Sequence, residues 1–448
     1  MDASALFRLL SCAKARYLYS QNIAPRETPK REPIVAPHIL RQIWRRFRSD
    51  LSHPLSFKTA SYKNLSVFVD RVTQNQNGFE LAKPLFTSEP YVAATNELAL
   101  AVWILERRGL KIDKVFVYYV NKEYLKEGDL DFDKLFIKRD ATKEVYGRYL
   151  RVGRNLIDDA NKSVLCDLDF ACQYADICFS NAAGYSIFNI ASLPKELKVA
   201  LYRQNVIDPR DIPEYLLTDY QKIQIECDKT KKTHIDLAAL TSFVVSVTYP
   251  IYFLDFEAIN YVVPIFDKLK PFGALPFQFS LHTLSSPRSR AKHYEFIADC
   301  EIDGRLQIAK TLCELIGDKG SVAAYGAQLE RSTLKDLAEL FPQYRAKLLN
   351  IRARIVDLSL PFEKRWYYNH RMCGSIALKA VAPMMIRGVS YDDGIKNGEE
   401  AMRSYLSMHS ANGEDKERIR RDLLNYCKKD SEYLVGIYRK LVTLTKSK

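Results

Sequence analysis

The chain has 448 residues, more than one hydrophobic core usually organises, and 47% hydrophobic with 12% aromatic content is ample for globular folding. A formal charge of +13 favours polyanionic partners, with nucleic acid the simplest of them. Nine cysteines are too few for a disulfide-stapled fold, and no apolar run reaches the ~20 residues of a membrane span, so a soluble, reducing, cytoplasmic setting is expected.

The first twenty residues, with Arg8, Lys14 and Arg16 among apolar ones, lack a continuous signal-peptide core. Residues 24–37 hold four prolines and read as an irregular stretch. The next segment spaces Ile39, Ile43, Trp44 and Phe47 helically, with Arg41, Arg45, Arg46 and Arg48 between them. That pattern fits a solvated basic face or a phosphate-contacting one. From residue 65 to 120 an α/β alternation follows: SVFVDRV predicts a strand, Glu89 to Arg108 a helix closed by Gly109, and KVFVYYV a second strand. A cysteine cluster occupies 166–178, a mixed helical segment follows, and Pro250 precedes the strand IYFLDFEAI. The expected division is 1–180, a helical connector over 181–245, and a C-terminal α/β domain over 246–448.

Chemistry concentrates in that last part. Asp255 and Glu257 stand two apart inside an apolar strand, so they share a face and can reach one metal ion. Two carboxylates there repel each other and lose hydration unless cations neutralise them; the other reading is an acidic pair at a strand end meeting solvent or an arginine. Near the C-terminus a strongly helical run takes Ile419, Leu423, Leu424, Cys427, Leu434 and Ile437 as core positions and stacks Tyr426 over Asp430, four residues on. Alone, that run reads as an ordinary amphipathic helix.

The order of these features resembles the tyrosine-containing subgroup of the DEDD exonuclease superfamily. There a strand Asp-x-Glu opens an RNase H-like sheet, a middle helix carries a further acid, and a C-terminal helix carries Tyr-x-x-x-Asp. In SVAAYGAQLERSTLKDLAELFP the matching acid is Glu330, where Asp is commoner, and Gly326 stands where Asn is often found. More broadly, residues 250–440 resemble a largely uncharacterised bacterial family, a domain of unknown function, in which a DEDD-like domain follows a degenerate nuclease-like half. The runs YFLDFEAINYVVPIFDKLKPFGALPFQFSLH, AYGAQLERSTLKDLAELFP, RIVDLSLPF, GSIALKAVAPMM and LLNYCKKDSEYLV carry that resemblance.

What the resemblance implies is an RNase H-like mixed sheet flanked by helices, with Asp255, Glu257, Glu330 and Asp430 holding two Mg²⁺ or Mn²⁺ ions for 3′–5′ exonucleolytic hydrolysis of DNA or RNA. Tyr426 would orient the attacking water or accept its proton, and Asp357 would position rather than ligate. Lys379, Lys428 and Lys429 are candidates for phosphate contacts, with solvated faces as the other reading.

Cys166, Cys172 and Cys178 fall at a C-x5-C-x5-C spacing, and Cys12 lies far upstream. Four thiolates suit a Zn²⁺ or a [4Fe–4S] cluster; unlinked, partly buried thiols are the other reading. The arrangement resembles iron–sulfur-stapled nuclease domains of the CRISPR-associated and AddB-type enzymes, with Ala13 where Pro often follows. The same resemblance implies a restriction-nuclease-like PD-(D/E)XK α/β fold for residues 1–180. Asp70 matches its first acid, but Lys83 and Leu85 stand where Glu and Lys belong, and Glu80 is wrongly spaced to replace them. This half is therefore expected to be degenerate, serving binding or scaffolding. A nucleic-acid-binding or assembly protein built from two weakened nuclease folds is the alternative to an exonuclease.

Overall fold

The computed structural model describes residues 33–48, 58–62, 65–155, 179, 182, 184–389, 391 and 394–446. The chain divides into two units, Met1–Ser180 with Asn260–Gly273, and Asn181–Ile259 with Ala274–Lys448. Both are α/β.

In the first unit, strands β1 (Lys58–Tyr62) and β2 (Leu65–Val69) form an antiparallel hairpin. Strands β3 (Arg71–Gln74), β4 (Phe79–Leu85), β5 (Ile112–Val120) and β6 (Phe136–Asp140) form a four-stranded sheet in that order, in which only β4 and β5 run parallel. Helix α1 (Pro37–Arg48) buries Ile39, Ile43 and Phe47 and leaves Arg41, Arg45 and Arg46 toward solvent, the amphipathic division read from its spacing. Helix α2 (Val92–Arg107) is apolar around most of its circumference. Its Leu98, Val102 and Leu105 share one core with Val72, Leu81 and Val115 of the sheet and Val145 of α3 (Thr142–Asn155). Gly109 ends it with φ of +88°. Its amide donates to Glu106 O and that of Leu110 to Leu105 O, the paired bonds that satisfy the last carbonyls of a helix.

The predicted strand SVFVDRV is broken at Asp70, which separates β2 from β3. Asn260–Gly273 is held within this unit by backbone bonds from Val262 to Ile34 and from Lys126 to Leu269, and by the Lys126–Asp267 ion pair at 2.7 Å.

The second unit centres on a five-stranded sheet of β8 (Ile251–Asn260), β9 (Ala274–Leu284), β10 (Lys292–Ile297), β11 (Ser321–Ala324) and β12 (Ile355–Asp357). Its order is β10-β9-β8-β11-β12, with β8, β11 and β12 parallel and β10 antiparallel to β9. The segment 181–245 packs into this unit. Its short strand β7 (Thr233–Ile235) pairs with β13 (Tyr367–Asn369), and Leu240 and Phe243 of α4 (Leu237–Ser246) enter the same core as the C-terminal helix.

Both faces of β8 are covered, which is why it reads as a continuous apolar run. Ile251 and Phe253 pack with Leu434, Ile437, Tyr438 and Leu441 of the long helix α7 (Gly413–Lys446). Tyr252, Leu254 and Phe256 pack on the other side with Leu334 and Leu337 of α5 (Gln328–Leu340). Side chains alternate across a strand, so Asp255 and Glu257 continue the series that faces α7. No helix among the described residues is long and apolar enough to cross a membrane.

Candidate metal centre

On α7 the inward stripe runs Leu423, Tyr426, Cys427, Asp430, Ser431, Leu434, Val435 and Ile437, the three-and-four spacing of one helical face. Ile419 and Leu424, expected in the core, are only half-buried. Tyr426 through Ser431 interrupt the stripe with polar groups at the level of Asp255 and Glu257. The helix is fixed there by polar residues of β9: Gln278 Nε2 donates to Leu423 O at 2.8 Å, while Ser280 Oγ and His282 Nδ1 meet Ser431 Oγ at 2.7 and 2.8 Å. Buried hydrogen bonds at both ends of this stretch set which residues of α7 face β8.

The result is a cluster of acids. One carboxylate oxygen each from Asp255, Glu257 and Asp430 lie within 4.8 Å of one another, the one such group of three or more potential metal ligands among the described residues. Glu257 and Asp430 are buried. Burial and the neighbouring carboxylates push Asp255 and Glu257 far above the usual carboxylate range. Asp430 is also raised by burial, but hydrogen bonds from the Tyr391 and Tyr426 hydroxyls, and the charges of Lys379 and Lys429, draw it back. The Tyr391 hydroxyl donates to Asp430 Oδ1 at 3.0 Å, and the Cys427 thiol donates to Asp255 Oδ2 at 3.2 Å. Neither Tyr391 nor Cys427 was expected at the site. Cys427 belongs to the buried face that its helical spacing predicts, and Tyr391 lies in a loop where no periodicity marks it.

Glu330 enters from the other side. Strand β11 pairs with β8 only as far as Phe253, which leaves the Phe256 amide without a strand partner on that edge. The Glu330 carboxylate accepts a hydrogen bond from Phe256 instead, and burial raises it to about 7. Its Oε2 is buried with no hydrogen-bond partner. Glu330 is not one of the three acids clustered within 4.8 Å, yet its charge raises both Asp255 and Glu257.

Asp357 positions that helix. Its Oδ1 and Oδ2 accept from the Gly326 and Ala327 amides, each at 2.9 Å, and Oδ1 also accepts from the Ser359 hydroxyl at 2.7 Å. Gly326 has φ of +62°, a left-handed conformation that glycine adopts freely and asparagine tolerates better than other residues. That shared tolerance explains how glycine can stand where asparagine is common. Asp357→Ala leaves two turn amides without their acceptor, and should cost about 1–3 kcal/mol in urea unfolding. An unchanged midpoint would show that the turn holds itself.

A cleft of about 260 Å³ adjoins the acids, lined by Tyr391, Gly394, Ile395, Asp422, Asn425, Tyr426 and Lys429. Lys429 therefore borders the site, whereas Lys428 is exposed. Three acids packed against one another, with an unpartnered carboxylate oxygen on Glu330, fit oxygen-ligated divalent cations: the cations would remove the repulsion that the protein alone leaves uncompensated.

In the first unit, Asp70 is buried and accepts an ion pair from Lys83 at 2.9 Å, and Lys83 also reaches Glu97 of α2 at 3.1 Å. A lysine thus occupies the space between two carboxylates. The nuclease pattern puts Lys83 in the place of an acid and does not reach Glu97, because a contact between a strand and the helix after it leaves no spacing to read. Cys12, Cys166, Cys172 and Cys178 lie outside the described residues.

Residues 252–377 match a family model described as a domain of unknown function, DUF2779. The matched stretch contains Asp255, Glu257, Glu330 and Asp357 and ends before Lys379, Tyr391, Tyr426 and Asp430. No curated protein and no solved structure matches the chain.

Proposed function

We propose that the second unit is a metal-dependent 3′–5′ exonuclease that hydrolyses phosphodiester bonds of DNA or RNA. The observation that carries this reading is the convergence of Asp255 and Glu257 from β8 with Asp430 from α7 on one buried point, with Glu330 close by. The strand bearing Asp-x-Glu opens the five-stranded sheet and the helix bearing Tyr-x-x-x-Asp packs over it, in keeping with an RNase H-like domain of the DEDD type. Polarity of digestion comes from that resemblance.

Bound Mg²⁺ or Mn²⁺ ions would supply an activated water and stabilise the leaving oxygen of an in-line displacement at phosphorus. Asp255, Glu257 and Asp430 are the residues to hold them, and Glu330 the fourth ligand. Burial and the adjacent carboxylates drive the Tyr426 phenol above its ordinary range, so it keeps its proton and donates to Asp430. Its role in this reading is to position Asp430 and to orient the attacking water or accept its proton. The first unit is assigned to binding or scaffolding, since Lys83 neutralises the acids a metal would need there. A cluster on Cys12, Cys166, Cys172 and Cys178, with [4Fe–4S] or Zn²⁺, belongs to the same reading, as does a cytoplasmic setting.

The test is degradation of end-labelled single-stranded DNA and RNA with Mn²⁺ by the wild type and Asp255→Ala. Metal-dependent shortening by the wild type alone is expected. Binding with no metal-dependent difference on any end-accessible substrate would replace the exonuclease with a nucleic-acid-binding protein built on nuclease folds.

A further inference from the structure

Lys379 is the second residue of α6 (Leu378–Met385), on the segment that follows β13. Its Nζ is buried and has no hydrogen-bond partner. It lies 5.1 Å from the centre of the Tyr391 ring and 5.6 Å from that of Tyr426, the two tyrosines whose hydroxyls bond Asp430. Its charge acts on both Glu257 and Asp430, yet it forms an ion pair with neither. A buried ammonium without an acceptor is costly, and two ring faces compensate only part of the lost hydration. The aromatic pair holds the cation beside the acids while keeping its protons free.

We propose that Lys379 is the phosphate anchor of this site, donating to a non-bridging oxygen of the phosphodiester bound at the acid cluster. The proposal rests on the nuclease reading above and specifies the charge of its substrate. Asp255, Glu257, Asp430 and Glu330, once ionised, are balanced by two divalent cations. Among the buried groups Lys379 then leaves one positive charge, which matches the single negative charge of a phosphodiester and not the two of a terminal phosphomonoester; Lys429, half-buried at the cleft, is screened by solvent. The Tyr391 and Tyr426 rings, which also line the adjoining cleft, fix where that charge sits. The other role open to such a lysine is that of a simple counter-ion to the acids, and the two roles differ in what its removal does to nucleic-acid binding.

The experiment uses the full chain and a fluorescent single-stranded oligonucleotide with a 3′-hydroxyl, in DNA and RNA arms, titrated in Ca²⁺ so that binding is read without turnover. Mn²⁺ binding is measured separately by calorimetry. Lys379→Met keeps the aliphatic stem between the rings and should bind the oligonucleotide about 10- to 100-fold more weakly, with Mn²⁺ affinity undiminished. Lys379→Arg should recover most of the loss, and Lys379→Gln serves if the methionine variant does not fold. An oligonucleotide with a 3′-phosphate should show a smaller dependence on Lys379. Unchanged oligonucleotide affinity with tighter Mn²⁺ binding would make Lys379 a counter-ion and overturn the proposal, while wild-type cleavage in Mn²⁺ left the nuclease reading standing. A wild type that binds neither Mn²⁺ nor oligonucleotide would overturn both.

Discussion

Between pH 6.5 and 8.5 the metal-free protein should lose a few kcal/mol of stability, or about 10 °C in melting temperature, and saturating Mn²⁺ should remove most of the loss, leaving the share of Asp228, which burial away from the cluster raises to about 7. The sign follows from the direction of the shifts. Asp255, Glu257, Glu330 and Asp430 all titrate higher in the folded chain than in the unfolded one, so the folded state retains protons that the unfolded state has already released. Stability from such groups is present at low pH and disappears as pH rises through their folded values, about 7 for Glu330. The window starts at 6.5 because of His282, which burial lowers to about 4. A histidine held neutral costs stability below its ordinary value, and at lower pH that opposing slope would hide the carboxylates. Differential scanning fluorimetry across the window, with and without Mn²⁺, is the measurement. Glu330→Gln should flatten the metal-free slope in part. A slope unaffected by both Mn²⁺ and Glu330→Gln would mean that these acids do not sit together as described.

Asp255→Asn is expected to remove about 10³-fold or more of Mn²⁺-dependent cleavage while raising the metal-free stability at pH 8. Asn fills the same volume and can still accept from the Cys427 thiol, so packing is nearly unchanged. What disappears is one buried carboxyl that burial and the facing Asp430, Glu257 and Glu330 make costly to ionise, and that the unfolded chain ionises freely at pH 8. Opposite signs for activity and stability distinguish a metal ligand from a structural aspartate, whose loss lowers both. Urea denaturation in EDTA, set beside single-turnover cleavage, reads the two effects; a destabilised variant would count against the metal centre.

The mixed α/β class, the helix α1, the closing of α2 at Gly109, and the strand β8 were all legible from residue spacing, since each depends on local periodicity or on one residue's backbone freedom. Asp255 and Glu257 could be put on one face of β8 by the two-residue period alone, and Tyr426 with Asp430 on one face of α7 by the four-residue period. Resemblance supplied Glu330, which no spacing would single out among the acids of α5. The end of β2 at Asp70 is not legible, because VFVDRV keeps a strand composition across a point where the chain changes sheets.

By itself, then, the sequence determined which side chains share a face within each element of this protein, because that is fixed by backbone geometry. It did not determine which faces meet. Only the tertiary structure decided that Asp255 and Glu257 look toward α7, through the apolar pairing of Ile251 and Phe253 with Leu434 and Ile437. Glu330 joins the neighbourhood because β11 stops short and leaves the Phe256 amide to be capped. Tyr391, Cys427 and the unpaired Lys379 complete the centre from three separate places in the chain, and Lys83 is locked between Asp70 and Glu97 in the first unit. Each of these contacts spans a turn or a change of element, and their energies come from burial and charge proximity in space, which are long-range in sequence.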